Sequence, residues 1–406
     1  MAKSPFGLLC FGRGSKLRAP VQSFRPVARQ PLMQVSTNST SSKLPELHIN
    51  IWEREKSKYR LLTKLEAFVD IGVMLDMQEK LTSIEILVPW LTKDEDIIDL
   101  SGQITALDAV YAIFNESWTV TNGQGGWIVE DPAGKAEPFA IVAAKSGAAV
   151  RHSKYKTSDG ERFGVSVDVQ HLIQQAKQAA ASTPRKSVNK LYVRFRLSNA
   201  ERGAYCVGEK DETKWWVPSW QRTDVIDFRV NVRRGAPINI ENDVGGQFMD
   251  FAKIQLFMMR DRNQDIVYED KLFKACRSLE DEEFWARYSL NAGDKIDVVK
   301  RNVKRSMGYQ WKDGGNGSQI REFGIAARFK VVEFGVGKYI AAALILGAIG
   351  NGLWELCKEY VWDPLPAPAT TRAVCVNAED ILNQARQACA SNGRKQPLPV
   401  QNKGSQ

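Results

Sequence analysis

Val193-Arg194-Phe195-Arg196-Leu197 puts three apolar side chains on one face of an extended chain and two arginines on the other. Side chains of a strand alternate between faces, so this period of two predicts an antiparallel strand with one covered and one wet face. The pattern returns at Ile226, Phe228, Val230 and Val232, with Asp227, Arg229 and Asn231 between them. It appears upstream at Leu65, Ala67, Val69, Ile71 and Val73, opposed by Glu66 and Asp70. Ile84 to Trp90 is a compact apolar run ending at a proline and reads as a further strand.

Working outward, Asn122 to Gly126 is a turn, followed by strands over Trp127 to Glu130 and Phe139 to Ala144. Ala252 to Met259 and Ile266 to Glu269 predict a hairpin, and Phe323 to Val331 a last strand. Thr105 to Ser117 reads as a helix because Leu107, Val110, Tyr111 and Phe114 recur at helical spacing. Ser278 to Leu290 reads as another, with Ser278 as its N-cap and acids in its first turn. Gln174 to Lys190 predicts a helix end running into a linker, hence a domain boundary. Short strands joined by turns point to a strand-rich α+β fold, an antiparallel β-sandwich-like body with a few helices. The expected segments are a disordered tail over 1–45, β-rich domains over 46–180 and 190–334, an apolar helix over 336–356 and a short tail with a helix over 357–406.

The formal net charge is +9 over 406 residues. Seven of the basic residues (Lys3, Arg13, Lys16, Arg18, Arg25, Arg29 and Lys43) lie in the first 45 residues, which hold no acid. The body is therefore nearly neutral, and nucleic acid is not an expected partner. The basic stretch reads as a flexible tail, with a targeting peptide as the alternative. Six scattered cysteines and three histidines show no zinc spacing, so no metal and no cofactor are expected.

Ile340 to Leu353 contains one polar side chain, Asn351. Extended to 336–356, the segment predicts a single transmembrane helix, since a span needs about 20 predominantly apolar residues. Its lipid-facing side chains would be Ile340, Leu344, Ile345, Leu346, Ile349 and Leu353, with Tyr339 and Trp354 at the interfaces. The alternatives are a buried helix and an interfacial one. Ten Lys and Arg against four acids over residues 295–338 would put the body in the cytoplasm and the C-terminal tail outside. Ala343, Gly347 and Gly350 form a small-residue face suited to a homo-oligomer. In an outside tail, Cys357 could pair with Cys375 or Cys389. A helix from Asn377 to Cys389 would hold Cys375 and Cys389 too far apart for each other.

Trp215, Trp216 and Trp220, beside Arg222, are the candidate ligand platform, with core filling as the plain alternative. Asp94, Glu95, Asp96 and Asp99 could hold a hard cation but lack alternate ligand spacing and a central glycine. The Gly-rich loops at 122–126 and 313–317 lack the ending of a phosphate loop. No GxSxG, HExxH or kinase signature is present, so no catalytic residue is named. The expected function is a membrane-anchored binding or sensing module, its partners lipid, a second copy, and a protein or small-molecule ligand. Two alternatives stand beside it: an effector whose clustered spans permeabilise the bilayer, and a soluble enzyme with a site assembled from distant residues.

Overall fold

The computed structural model describes residues 8–14, 43–55, 65–332 and 336–361, apart from short stretches at 92, 106, 115–116, 145–148, 158–159, 184–186, 211–220, 234–238, 280–281, 292 and 316. The chain divides into two compact units, Met1–Gly335 and Val336–Gln406.

The first unit is strand-rich α+β, with three sheets. Its largest sheet has ten strands. Along one path run β17 (Phe273–Ser278), β18 (Ser306–Gly314), β15 (Lys253–Asp261), β2 (Glu46–Glu55), β3 (Leu65–Asp76), β11 (Lys190–Leu197), β8 (Phe139–Val142), β7 (Gly126–Glu130) and β6 (Thr119–Gly123). The tenth, β5 (Ile97–Asp99), pairs with β11 off this path. Pairing is antiparallel except for β15 with β2 and β11 with β8. A five-stranded sheet runs β14 (Gln247–Phe248), β1 (Leu9–Gly14), β4 (Leu81–Leu87), β10 (Gly160–Asp168), β9 (Val150–Thr157). A four-stranded sheet runs β12 (Cys206–Lys210), β13 (Gln221–Val230), β19 (Phe323–Val332), β16 (Gln264–Glu269).

The period of two decides how the layers stack. Leu47, Ile49 and Ile51 of β2, Val69, Ile71 and Val73 of β3, and Val193, Phe195 and Leu197 of β11 join the main apolar core. The two smaller sheets and α3 (Val169–Ala181) contribute to that same core. The intervening residues of β2, β3 and β11 point the other way. That face is covered by α1 (Ser101–Ile104), α2 (Leu107–Phe114), α5 (Glu282–Ser289) and α6 (Ile296–Lys304), around Trp52, Phe68, Tyr192, Trp285 and Tyr288. The large sheet is thus buried on both faces, and the wet face expected for β11 is absent: Arg194 and Arg196 are 0% and 1% exposed.

Four further expectations change. The tail over 1–45 contains a strand: β1 lies inside the five-stranded sheet, between β14 and β4, with Leu8, Cys10 and Phe11 buried. No sheet boundary falls at 180–190, because β11 pairs with both β3 and β8. Residues 252–269 are not a hairpin. The turn after β15 carries the chain to another sheet, where β16 pairs with β19. Ser278 is not an N-cap; it ends β17, and α5 begins at Glu282. A short helix, α4 (Ile240–Val244), closes on Gly245, whose φ of 72° suits a residue without a Cβ.

The second unit contains α7 (Val336–Val361). Among the described residues no helix is long and apolar enough to cross a membrane. The transmembrane helix expected over 336–356 is not supported for that reason. The unbroken apolar run Ile340–Gly350 rises only about 16 Å, against a hydrocarbon core of about 30 Å. Nor is α7 a covered helix: Leu344, Ile345, Leu346, Ile349, Leu353 and Trp354 are all more than half exposed.

Candidate functional site

The helix-covered face of the large sheet carries a polar row that strand register assembles. Asn50 of β2 stands opposite Asp70 of β3, which stands opposite Arg196 of β11. One step along, His48 stands opposite Gly72, and Gly72 opposite Arg194. Arg196 donates to Asp70 from Nε at 2.7 Å and from Nη2 at 3.2 Å. It also donates to the Tyr288 carbonyl at 3.0 Å and lies 3.9 Å over the Phe68 ring. Trp52 Nε1 donates to the same carboxylate at 3.2 Å. Arg54 donates to the Ser289 carbonyl at 2.7 Å and pairs with Glu66 and Asp294. Two guanidinium groups thus meet the last carbonyls of α5, where the helix dipole favours cations.

Arg194 is placed differently. Its Nε donates to the Tyr288 hydroxyl at 2.7 Å, and its Nη1 to the Tyr192 hydroxyl at 2.9 Å. With the Asn50 amide turned to present its oxygen, Nη2 donates to it at 2.6 Å. Its nearest carboxylate is Asp70, at 4.0 Å. Neutral oxygens therefore solvate this guanidinium, and Arg194 and Arg196 share one carboxylate. Gly72 makes the arrangement possible, since a Cβ there would fall 2.0 Å from the Tyr192 hydroxyl.

Beside Arg194 lies a small cavity of about 20 Å³, lined by His48, Asn50, Gln255, Phe257, Arg277 and Trp285 among others. None of its lining residues is an acid. Burial holds the His48 imidazole below its ordinary value, against the pull of Glu46. The Glu46 carboxyl is pushed down to about 2 by the His48 ring beside it and by Lys253, against its own burial.

A second concavity, about 940 Å³, opens along strands of the large sheet between Lys43 and Gln319. Lys43, Lys135, Lys190, Lys253 and Lys312 line it with Glu46, Asp76 and Glu137. Glu137 takes Lys43 at 2.7 Å and Lys190 at 3.1 Å, while Glu46 takes Lys253 at 3.2 Å. The five cations against three acids leave the groove net positive. The Gly-rich loop singled out in the sequence supplies Gly315, Gly317 and Ser318 to its wall.

A third cluster ties the large sheet to the four-stranded one. Arg260 of β15 pairs with Glu53 of β2 at 3.2 Å and with Asp224 of β13. Arg202 also donates to both acids. Two cations meet two anions, and the Arg260 guanidinium lies 4.5 Å over the Phe329 ring.

The residues named from sequence fare unevenly. Trp215, Trp216 and Trp220 lie outside the described residues. Arg222 sits in β13 opposite Lys210 and Val331, and its side chain is outside the description. Asp94, Asp96 and Asp99 do not converge on a cation; each accepts a local hydrogen bond, from His152 N, Asn199 Nδ2 and Ser101 N respectively. Among the described residues no group of His, Cys, Asp and Glu could hold a metal. Ala343, Gly347 and Gly350 lie exposed on α7. Tyr339, Ile340 and Cys357 lie in α7 with side chains outside the description, and Cys375 and Cys389 lie outside the described residues altogether. His48, Asp70 and Arg194 were missed. The available signal was charge on one face of each of two strands whose other face is wholly apolar.

No family model matches the chain, and no curated protein matches it. Among solved structures, a zebrafish chain described as the Fcho1 Mu homology domain (Danio rerio) with bound Eps15 peptide is 10% identical. The similarity covers 71% of this chain and 80% of that one, at a TM-score of 0.14. At that score nothing is carried over from it.

Proposed function

We propose that the chain is a non-catalytic binding module, held at a lipid bilayer by α7. The observation that carries this reading is the exposure of α7. Leu344, Ile345 and Leu346 are consecutive, so at about 100° per residue they face three directions. Leu344 and Leu346 are each 68% exposed. A helix apolar on all sides is a buried element or a lipid-seated one. The short apolar run favours shallow seating, and the basic residues at 295–338 favour an anionic leaflet. The net-positive groove of about 940 Å³ is the candidate ligand surface, of a size suited to a small molecule or a peptide end.

The full chain should float with vesicles containing about one-third anionic lipid, and Leu346→Lys together with Ile349→Lys should cut flotation at least about tenfold. Equal flotation of both proteins would overturn the tether. Protease added outside sealed vesicles reads the sidedness of the tail: cleavage of the tail in every molecule means surface seating, and protection means insertion to the far side.

A further inference from the structure

We propose that the groove of about 940 Å³ takes an extended peptide with two acidic residues four or five positions apart, an assignment that rests on its being the ligand surface. Strand register sets out its charges. Lys253 of β15 stands opposite Glu46 of β2, and Glu46 opposite Met74 of β3. Two residues further along β3, Asp76 stands opposite Lys190 of β11. Gly314 of β18 is the partner of Lys253, so Lys312, two residues before it, shares the Lys253 face. Lys43 and Lys190 both meet Glu137, and Lys135 lies two residues before that acid.

The charges therefore sort into two ends. One holds Lys253 and Lys312 with Glu46. The other holds Lys43, Lys135 and Lys190 with Glu137 and Asp76. Each end of the wall has one more cation than acids, and half-buried Met74 lies between them. The acids just outside the wall are engaged elsewhere. Asp313 faces the other side of β18 by alternation and accepts from Gly314 N. Asp131 accepts from the backbone N–H groups of Ala133, Lys135 and Ala136, and Asp250 takes Gln319 and Arg321.

Geometry then sets the ligand. From β15 to β11 is three strand spacings, about 14 Å, and the two-residue offset along β3 adds about 7 Å at right angles. The diagonal of about 16 Å is covered by about five residues of extended chain, and the reach of the lysine stems allows four. A small anion would meet one end only. A nucleic-acid strand carries charge at every step and would set phosphates against Glu46 and Asp76. A peptide charged only near its ends, with an apolar middle over Met74, avoids that repulsion.

The test is calorimetric titration of the full chain at low salt with end-blocked peptides of alanine and valine. One carries two aspartates four positions apart, the second two adjacent aspartates, the third two lysines four positions apart. The spaced acidic peptide should saturate below about 1 mM, the adjacent one should bind at least about threefold more weakly, and the lysine peptide should not bind. Lys253→Gln with Lys312→Gln should weaken the spaced peptide about tenfold and abolish the preference for spacing. Lys154→Gln on β9, at a side chain 53% exposed, should change neither. If the double variant fails to fold, Lys135→Gln, at an exposed loop position, reads the other end with the same expectation. Equal affinity for spaced and adjacent peptides, or for the parent and the lysine variant, would overturn the proposal. Inorganic phosphate or an oligothymidylate that binds while the spaced peptide does not would also overturn it, yet keep the groove as the ligand surface. If none of these probes binds, the peptide and the ligand surface fall together, while vesicle flotation still reads the tether.

Discussion

Two arginine clusters that meet the large sheet are built on opposite principles. Around Arg260, two acids meet two arginines, and the cluster joins strands of different sheets. Around Arg194, two arginines share one acid, and the deficit is made up by hydroxyls, an amide and a helix end. The first is a staple: its charges cancel, and its value lies in fixing sheet against sheet. The second cannot close on itself. It leaves two arginines on one carboxylate with a small cavity beside them.

Removing acids tests the contrast most severely. Asp70→Asn leaves two fully buried guanidinium groups without a carboxylate. It should cost about 3–5 kcal/mol, the range for breaking a buried pair from one side. Asp224→Asn should cost less, about 2–3 kcal/mol, because Glu53 still reaches both Arg202 and Arg260. Removing cations should invert the order. Arg194→Met deletes the surplus charge and should change stability by less than about 1 kcal/mol, whereas Arg196→Met strands Asp70 and should cost about 3 kcal/mol. Urea unfolding of the four variants decides this. If Arg194→Met proved as damaging as Arg196→Met, the surplus would not exist.

A smaller effect comes from the residue that makes room. Gly72→Ala would put a Cβ 2.0 Å from the Tyr192 hydroxyl, so the ring must move and release Arg194 and His48. The expected cost is about 1–3 kcal/mol of overpacking. The double variant Gly72→Ala, Tyr192→Phe should recover part of it, because the clashing oxygen is gone. No recovery would mean that the Tyr192 ring carbons, 2.7 and 3.0 Å from that Cβ, set the requirement together with the hydroxyl.

Much of the sheet was legible in the chain itself. β3, β11, β13 and β19 fall on the alternating stretches, and α2 on the helical spacing of Leu107, Val110, Tyr111 and Phe114. Alternation reports that two faces differ in chemistry; it does not report what covers them. Arg194 and Arg196 therefore read as solvent-facing, although α5 roofs them. The roof was itself legible as a helix, but not its destination. β1 was illegible for another reason. Leu8 to Phe11 is a short apolar run between stretches rich in Arg, Ser and Pro, and its partners in β4 and β14 lie about 70 and 240 residues away. Its burial pushes the Cys10 thiol up to about 12, as befits a thiol inside a sheet. The cavity beside Arg194 needed the register of β2, β3, β11 and β15 together, which one strand at a time does not reveal.

The smallest effect separates the clusters by pH. Around Arg260 there is no histidine among the paired residues, and burial pushes the Cys206 thiol up to about 12. In the other cluster, burial lowers the His48 value below its unfolded value of 6.5. A depressed group contributes stability that is fully present above the unfolded value and lost as pH falls through the folded one. Stability should therefore decline from about pH 6.5 downward, by at most about 1.4 kcal/mol for each unit of depression. Glu46, held at about 2, adds a second loss of the same sign between about 4.5 and 2. Urea midpoints at about pH 8, 6.5 and 5 should fall in that order, and His48→Gln should flatten the series. An undiminished slope in His48→Gln would place the titrating group elsewhere.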